Sequence, residues 1–345
     1  MKISDKTRIK VCCLLFAVQL IGALVYAQNQ RFREKEVQFH SDSVMLAGTI
    51  IVPAQGSRHP GIVFLHGSGP STREGARPYA EAFAELGIAS LIFDKRGCGS
   101  SGGSWETSSL EDLSNDALAA VRYLKTEGDI DGSPVGLWGV SQAGWVETLA
   151  ASRSSDVGFM IVISGGGASP RESELFSYGE EFDKAGLSQQ EKSEAFSLLD
   201  TYYQYLESGE GRSRFISQLN AVGTDRLAPL AKQLEQILPS EGNRKNWRWV
   251  ASWDPAPSIE KITCPVLLMF GDMDKDHPTA ISIKRWRDGL KKSLNKDVTV
   301  VVFPGAGHGL RMREGFTGSG RAPFADGYSE LMLGWLWQHV ITKKQ

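Results

Sequence analysis

Three reactive residue types recur after separate apolar runs, in the order serine, aspartate, histidine. Ser141 lies in "GVSQAG", directly after the run "PVGLWGV". A serine hydroxyl is a weak nucleophile until a histidine takes its proton and an acid fixes that histidine's tautomer and stabilises the imidazolium. His308, in "GAGH" after "DVTVVVFPG", is the expected base. The acid is expected in "GDMDKDHP", where Asp272, Asp274 and Asp276 compete; Asp274 is the first choice and Asp272 the second. The glycines of "HGSGP" allow backbone N–H groups to turn inward. The N–H of Ser68 is expected to pair with that of Gln142 to hold an oxyanion. Together these residues could carry out acyl transfer through a serine ester.

A strand that turns into a helix within two or three residues forces its central residue into strained backbone angles, and small neighbours at −2 and +2 make the turn possible. Gly139 satisfies the first position, while Ala143 stands where a second glycine is usual. Gly144 is left to let the helix approach the sheet. The competing reading of Ser141 is a serine that merely caps a helix. Ser104, in "GGSW", has no strand immediately before it and is read as a loop residue.

Continuous apolar runs alternating with amphipathic helices must position these residues, and that rhythm argues for a parallel sheet covered on both faces. "EKEVQFH" and "VMLAGTIIV" read as two antiparallel strands. "GIVFLHG", "IASLIFD", "PVGLWGV" and "GFMIVISGGG" read as buried strands separated by helices, one of them with Ser109 as its N-cap and Gly128 at its end. The rhythm stops from about Ser169 to Asp254. There "SQQEKSEAFSLLDTYYQYLES" and "DRLAPLAKQLEQILP" read as helices with polar connectors, inserted into one α/β domain. It resumes with the strand "CPVLLMFGD", a helix, the strand "DVTVVVFPG" and a final helix. The expected division is residues 28–168 and 256–345 for the core and 169–255 for the insertion.

Composition narrows the function classes. The 345 residues carry a formal net charge of −2, which gives no reason to expect a nucleic acid or an anionic membrane surface as partner. The phosphate-loop pattern Gly-x-x-x-x-Gly-Lys is absent, and two cysteines beyond residue 27 with six scattered histidines give no metal-ligand spacing, so no cofactor is expected. Cys98 follows one strand and Cys264 precedes another, at opposite ends of a parallel sheet, which argues against a disulfide between them.

The N-terminus departs from this average. Lys2, Lys6, Arg8 and Lys10 precede the apolar run "VCCLLFAVQLIGALVYA", with Val25 and Ala27 at the small-residue positions of a cleavage site. Residues 1–27 read as a secretory signal peptide, implying a secreted or periplasmic protein with no stable membrane insertion after cleavage. Uncleaved, the same segment would be a membrane anchor.

The motifs together resemble the α/β-hydrolase superfamily, particularly its bacterial serine esterases. "HGSGP" is similar to their oxyanion loop, "FDKRGCGSS" to a loop whose Asp94 and Arg96 are structural, "GVSQAG" to the nucleophile elbow, "GDMD" to the acid loop and "GAGH" to the histidine loop. The resemblance implies a mostly parallel eight-stranded sheet with helices on both faces and a helical cap. It also implies a Ser141–His308–Asp274 triad working through an acyl-enzyme without a cofactor. A small-molecule carboxylic ester is the expected substrate. A serine aminopeptidase like the prolyl aminopeptidases, with Glu174, Glu180 or Glu181 receiving a free amine, and an acyl thioesterase are the alternatives. A non-catalytic binding protein on the same scaffold is a further one. Tyr202, Tyr203, Tyr205, Trp247, Trp249 and Trp253 are expected either to wall an apolar pocket or to pack the cap onto the core.

Overall fold

The computed structural model describes residues 31–222, 226–313, 317, 319 and 321–342. The expected signal peptide, residues 1–27, lies outside them. Eight strands form one sheet in the order β1-β2-β4-β3-β5-β6-β7-β8. They are β1 (Phe32–Ser41), β2 (Val44–Pro53), β3 (Gly61–Phe64), β4 (Ala89–Phe93), β5 (Val135–Val140), β6 (Val157–Ile163), β7 (Val266–Gly271) and β8 (Val298–Phe303). β1 pairs with β2 and β2 with β4 antiparallel; from β4 to β8 every pairing is parallel. This is the α/β-hydrolase architecture that the sequence motifs imply.

The apolar runs become strands because a central parallel strand is buried on both faces. β3, β4 and β7 are buried along their whole length. Side chains alternate across the sheet, so two apolar cores form. One lies against α1 (Arg77–Glu85) and α11 (Tyr328–Leu336), and includes Ile62, Phe64, Trp138, Ile161 and Met332. The other lies against α2 (Leu110–Thr126), α3 (Ala143–Ala151) and α10 (Thr279–Lys292), and includes Val63, Leu91, Leu137, Leu268 and Trp286. Ser109 caps α2 through a capping box with Asp112. The helix ends on an extended Glu127, and Gly128 does not adopt the left-handed conformation of a glycine cap.

Among the described residues six helices lie between β6 and β7. They are α4 (Pro170–Lys184), α5 (Gln189–Ser208), α6 (Arg212–Ala221), α7 (Ala228–Ile237), α8 (Arg244–Ser252) and α9 (Ala256–Ile259). The sequence pattern identified only α5 and α7. α4 and α6 bury few side chains and so show only narrow apolar stripes, while α8 spans only nine residues. Phe215 is the sole buried residue of α6. The segment is tied to the core rather than hung from it. Trp145 and Trp249 meet edge to face at 6.0 Å, and the Trp247 indole N–H donates to the Glu106 carbonyl at 2.7 Å. Arg285 bridges Glu172 and Asp254. Among the described residues Cys98 and Cys264 are unpaired. None of the helices among the described residues is long and apolar enough to cross a membrane.

Candidate active site

Ser141 stands between the end of β5 and the start of α3 with φ +63°. A non-glycine residue in that region is uncommon and strained, and is held only where its surroundings over-determine it. Here the Ser141 N–H donates to the Ile163 carbonyl at 2.9 Å, and the Ser141 carbonyl accepts from Gly144 N–H at 2.9 Å. Ala143 explains why Gly139 must be glycine. A Cβ at residue 139 would lie 2.2 Å from that of Ala143 and 2.5 Å from Glu147 Oε1. The turn has room for one methyl group, and Ala143 supplies it. A Cβ at Gly144 would lie 2.8 Å from Gly166 N, so this glycine lets α3 approach the β6 loop as the sequence suggested.

Beneath the turn lies an acid that sequence reasoning did not single out. Glu147 is fully buried on α3, and neither carboxylate oxygen has a hydrogen-bond partner among the described residues. Burial raises its pKa well above the ordinary carboxylate range, which favours the neutral acid. A folded-state pKa above the unfolded value contributes stability at low pH and loses it as the pH climbs through and above the carboxylate range. Replacing Glu147 by Met should therefore raise the melting temperature at alkaline pH and flatten its decline between mildly acidic and alkaline buffers. An unchanged decline in the variant would show that Glu147 does not carry it.

The three candidate acids separate clearly. Asp274 has a fully buried side chain and accepts His308 Nδ1 at 3.0 Å (Oδ2) and 3.2 Å (Oδ1). Its Oδ1 also accepts the backbone N–H groups of Asp276 and His277, each at 2.9 Å. Burial opposes ionisation, but the His308 contact and these N–H donors outweigh it and hold the Asp274 carboxyl below its ordinary value. Asp272 instead accepts Gly305 N–H at 2.7 Å and shapes the start of the histidine loop. The other end of that loop is pinned where Gly309 N–H donates to Ser164 Oγ at 3.1 Å. Asp276 remains 3.8 Å from His308 Nδ1. Asp274, Asp276 and His308 bring three potential metal-ligand atoms within 4.8 Å of one another. The nitrogen they would contribute is already committed to Asp274.

A second histidine stands where sequence reasoning placed none. His277 Nε2 lies 3.5 Å from Ser141 Oγ, and no hydrogen bond joins that oxygen to His308. The two imidazoles stack at 5.2 Å and 7°. His277 Nδ1 is buried without a partner, and burial, with His308 close by, lowers its pKa to about 4. The signal was present in "DKDHP", directly after Asp276 and three residues after Asp274, but nothing in one dimension shows that this loop folds back over the serine.

The oxyanion candidates lie in the same recess. Among the described residues neither Ser68 N–H nor Gln142 N–H makes a hydrogen bond. Both residues line a cavity of about 600 Å³ with Ser141, His277 and His308. Tyr202, Trp247 and Trp249 of the inserted helices line it too, with Glu174. Tyr203 and Tyr205 are buried in the helices instead, and Trp253 packs against the core. Asp94 and Arg96 hold the neighbouring loop: Asp94 pairs with Arg73 at 3.0 Å and Arg96 with Asp116 at 2.6 Å.

The comparisons with known proteins agree with this architecture. A model of the alpha/beta hydrolase family matches residues 62–315. An uncharacterized 31.7 kDa protein of Escherichia coli, from a traX-finO intergenic region, is 24% identical over 69% of this chain and 81% of its own length. The quorum-quenching protein AidA of Acinetobacter baumannii is 34% identical over 37% of this chain and 42% of its own. A thiohydrolase, aneE, of Aspergillus aculeatus is 31% identical over 39% and 42%. Among solved structures, the Pyrococcus furiosus esterase Pf2001 superposes with a TM-score of 0.58 at 17% identity, covering 89% of this chain and 91% of that one. With the family model spanning most of its length and the sheet in the order that the motifs imply, the chain belongs to the alpha/beta hydrolase family.

Proposed function

We propose that the protein is an exported serine hydrolase that cleaves small-molecule carboxylic esters through an acyl-enzyme. One observation carries this reading. A serine strained to φ +63° shares a single cavity with two unengaged N–H groups and an Asp274-paired histidine. Asp274, ionised, accepts the His308 Nδ1–H and leaves the Nε2 lone pair to take the Ser141 proton. Ser141 Oγ attacks the carbonyl, and the N–H groups of Ser68 and Gln142 receive the oxyanion. His308 then passes the proton to the departing alkoxide. Water, activated by the same base, releases the acid.

Residues 169–255 act in this reading as a cap that decides which acyl or alcohol groups reach Ser141. The aromatic wall of Tyr202, Trp247 and Trp249 favours an apolar or aromatic group there. Export rests on the N-terminal sequence alone.

Glu174 favours an aminopeptidase as the second reading. It lines the cavity and its Oε2 accepts the Tyr203 hydroxyl at 2.7 Å. Burial pushes its pKa up to about 7, and a substrate ammonium would draw it back to the charged form. Glu180 is paired with Lys275 and Glu181 is exposed, so neither takes this role. The name of the Aspergillus relative keeps thioesters among the substrates to be tried.

A fluorophosphonate probe should label the purified protein at Ser141, as peptide mapping would reveal. Short and long acyl esters, aminoacyl anilides and acyl-CoA should then be compared. Turnover of esters above the others is the expected result. Anilide cleavage without ester cleavage would replace the esterase by the peptidase, and an unlabelled Ser141 would remove the hydrolase reading altogether.

A further inference from the structure

Lys95 is a buried cation beside the cavity, and it acts neither as nucleophile nor as part of the Ser141, His308 and Asp274 set. It is 3% exposed. Its ammonium donates to the Gly67 carbonyl at 2.8 Å, the Gly69 carbonyl at 3.0 Å and Gln142 Oε1 at 3.0 Å. An ammonium has three N–H donors, so all three are used. Its backbone is fixed as well, since Lys95 N–H donates to the Ser71 carbonyl at 3.1 Å.

These acceptors belong to the two residues proposed to hold the oxyanion or flank them directly. No peptide bond among the described residues is cis. In a trans peptide the C=O and the following N–H point in opposite directions. Holding the Gly67 carbonyl on Lys95 therefore turns the Ser68 N–H away from Lys95. Holding the Gly69 carbonyl fixes the Gly69–Pro70 peptide on the other side of Ser68, where Pro70 restricts the backbone further. The third bond reaches across to Gln142, whose own N–H is the other donor.

We propose that Lys95 is the positioning residue of the oxyanion site, a single ammonium that sets both N–H donors in register across two loops. The proposal rests on the acyl-transfer reading above. It works because a preorganised donor needs no reorganisation when charge develops, and a misaimed one loses most of its value. Lys95 acts through those donors, its own three N–H groups being taken by Gly67, Gly69 and Gln142.

The ammonium is also a proton-dependent clamp. Burial lowers the Lys95 pKa to about 8. A neutral amine keeps two N–H donors for three acceptors, so deprotonation releases at least one strap. The ionisable groups around it are His66 from the loop after β3, Asp94 next to it and Cys98 after it. His66 donates its Nε2–H to the Phe93 carbonyl at 2.6 Å, and burial lowers its pKa to about 4, so it does not titrate in the alkaline range. Asp94 is held ionised by Arg73. Cys98, on the same loop, is the neighbour that the test below removes.

The test combines one substitution with a pH profile of the unaltered protein. Lys95→Met should lower kcat for a neutral ester about 100-fold, the scale of losing one oxyanion donor, with KM little changed. It should weaken a trifluoromethyl ketone, which binds as an anionic hemiketal, by a similar factor. The corresponding methyl-bearing alcohol, which places no oxyanion, should bind as before. In the wild-type protein and in Cys98→Ala, kcat should fall with an apparent pKa near 8; in Lys95→Met that alkaline limb should vanish. If Ser141 is labelled by fluorophosphonate and Lys95→Met turns over at the wild-type rate, the proposal fails while the hydrolase reading stands. An alkaline limb that disappears in Cys98→Ala overturns it as well, even where Lys95→Met does not fold. Failure of Ser141 labelling in the wild type defeats the hydrolase reading itself.

Discussion

Replacing His308 by Asn should lower kcat/KM for a good ester by about 10⁶-fold, as should Ser141→Ala, because members of a concerted set fail together. Replacing His277 by Gln should cost no more than about tenfold, the scale of one neutral hydrogen bond. The contrast is sharp because the resting geometry alone points the other way: His277, not His308, is the ring within 3.5 Å of Ser141 Oγ. Distance does not decide which ring is the base. A base must hold a positive charge in the transition state, and only His308 has a carboxylate on its far nitrogen. His277 Nδ1 is buried without a partner and its pKa is lowered to about 4, so it is too weak a base near neutrality. An Nε2–H tautomer of His277 leaves no buried donor unsatisfied and can donate to Ser141 Oγ, holding the hydroxyl until a substrate arrives. Steady-state kinetics of the variants, with circular dichroism to confirm folding, decides the matter. An active His308→Asn beside an inactive His277→Gln would reverse the roles.

The second large effect concerns the acid. Asp274→Asn should reduce kcat about 10⁴-fold, the scale set by an acid that fixes the tautomer of a catalytic histidine. Asparagine keeps the shape but presents an amide that cannot stabilise the imidazolium and can pair with the wrong tautomer. The loss should fall on kcat rather than KM. Asp272→Asn should cost far less, since its carboxylate holds only the Gly305 N–H, and an amide oxygen can still accept that bond. Measured side by side on one ester, a larger loss in Asp272→Asn than in Asp274→Asn would overturn the assignment.

Glu147 and Lys95 show a different kind of limit. Both are charged types inside or against an apolar core, where they are rarely fully buried unless paired. Lys95 meets that rule with three acceptors; Glu147 breaks it, with neither carboxylate oxygen partnered among the described residues and its pKa raised by burial. Their residue types gave no hint of either outcome, since "DKRG" and "WVET" read as ordinary loop and helix.

The sheet was legible in one dimension because burial on both faces demands continuous apolar runs, and the runs before Ser141, Asp274 and His308 end where the strands end. The inserted helices were half legible, because helices that pack on helices along narrow stripes leave a broken pattern. The sequence by itself also determined that a serine, an acid and a histidine reach the carboxyl edge of the sheet in that order. It could not rank Asp272 against Asp274, which differ by two positions in one loop. It could not place His277, 136 residues from the serine it touches. Nor could it show the three straps of Lys95, two to the loop after β3 and one to the Gln142 side chain ahead of α3. Those were decided only when the loops after β3, β4, β5, β7 and β8 were brought to one edge. Hydrogen bonds are short and directional, and which partners meet depends on how each loop bends, not on the residues it contains.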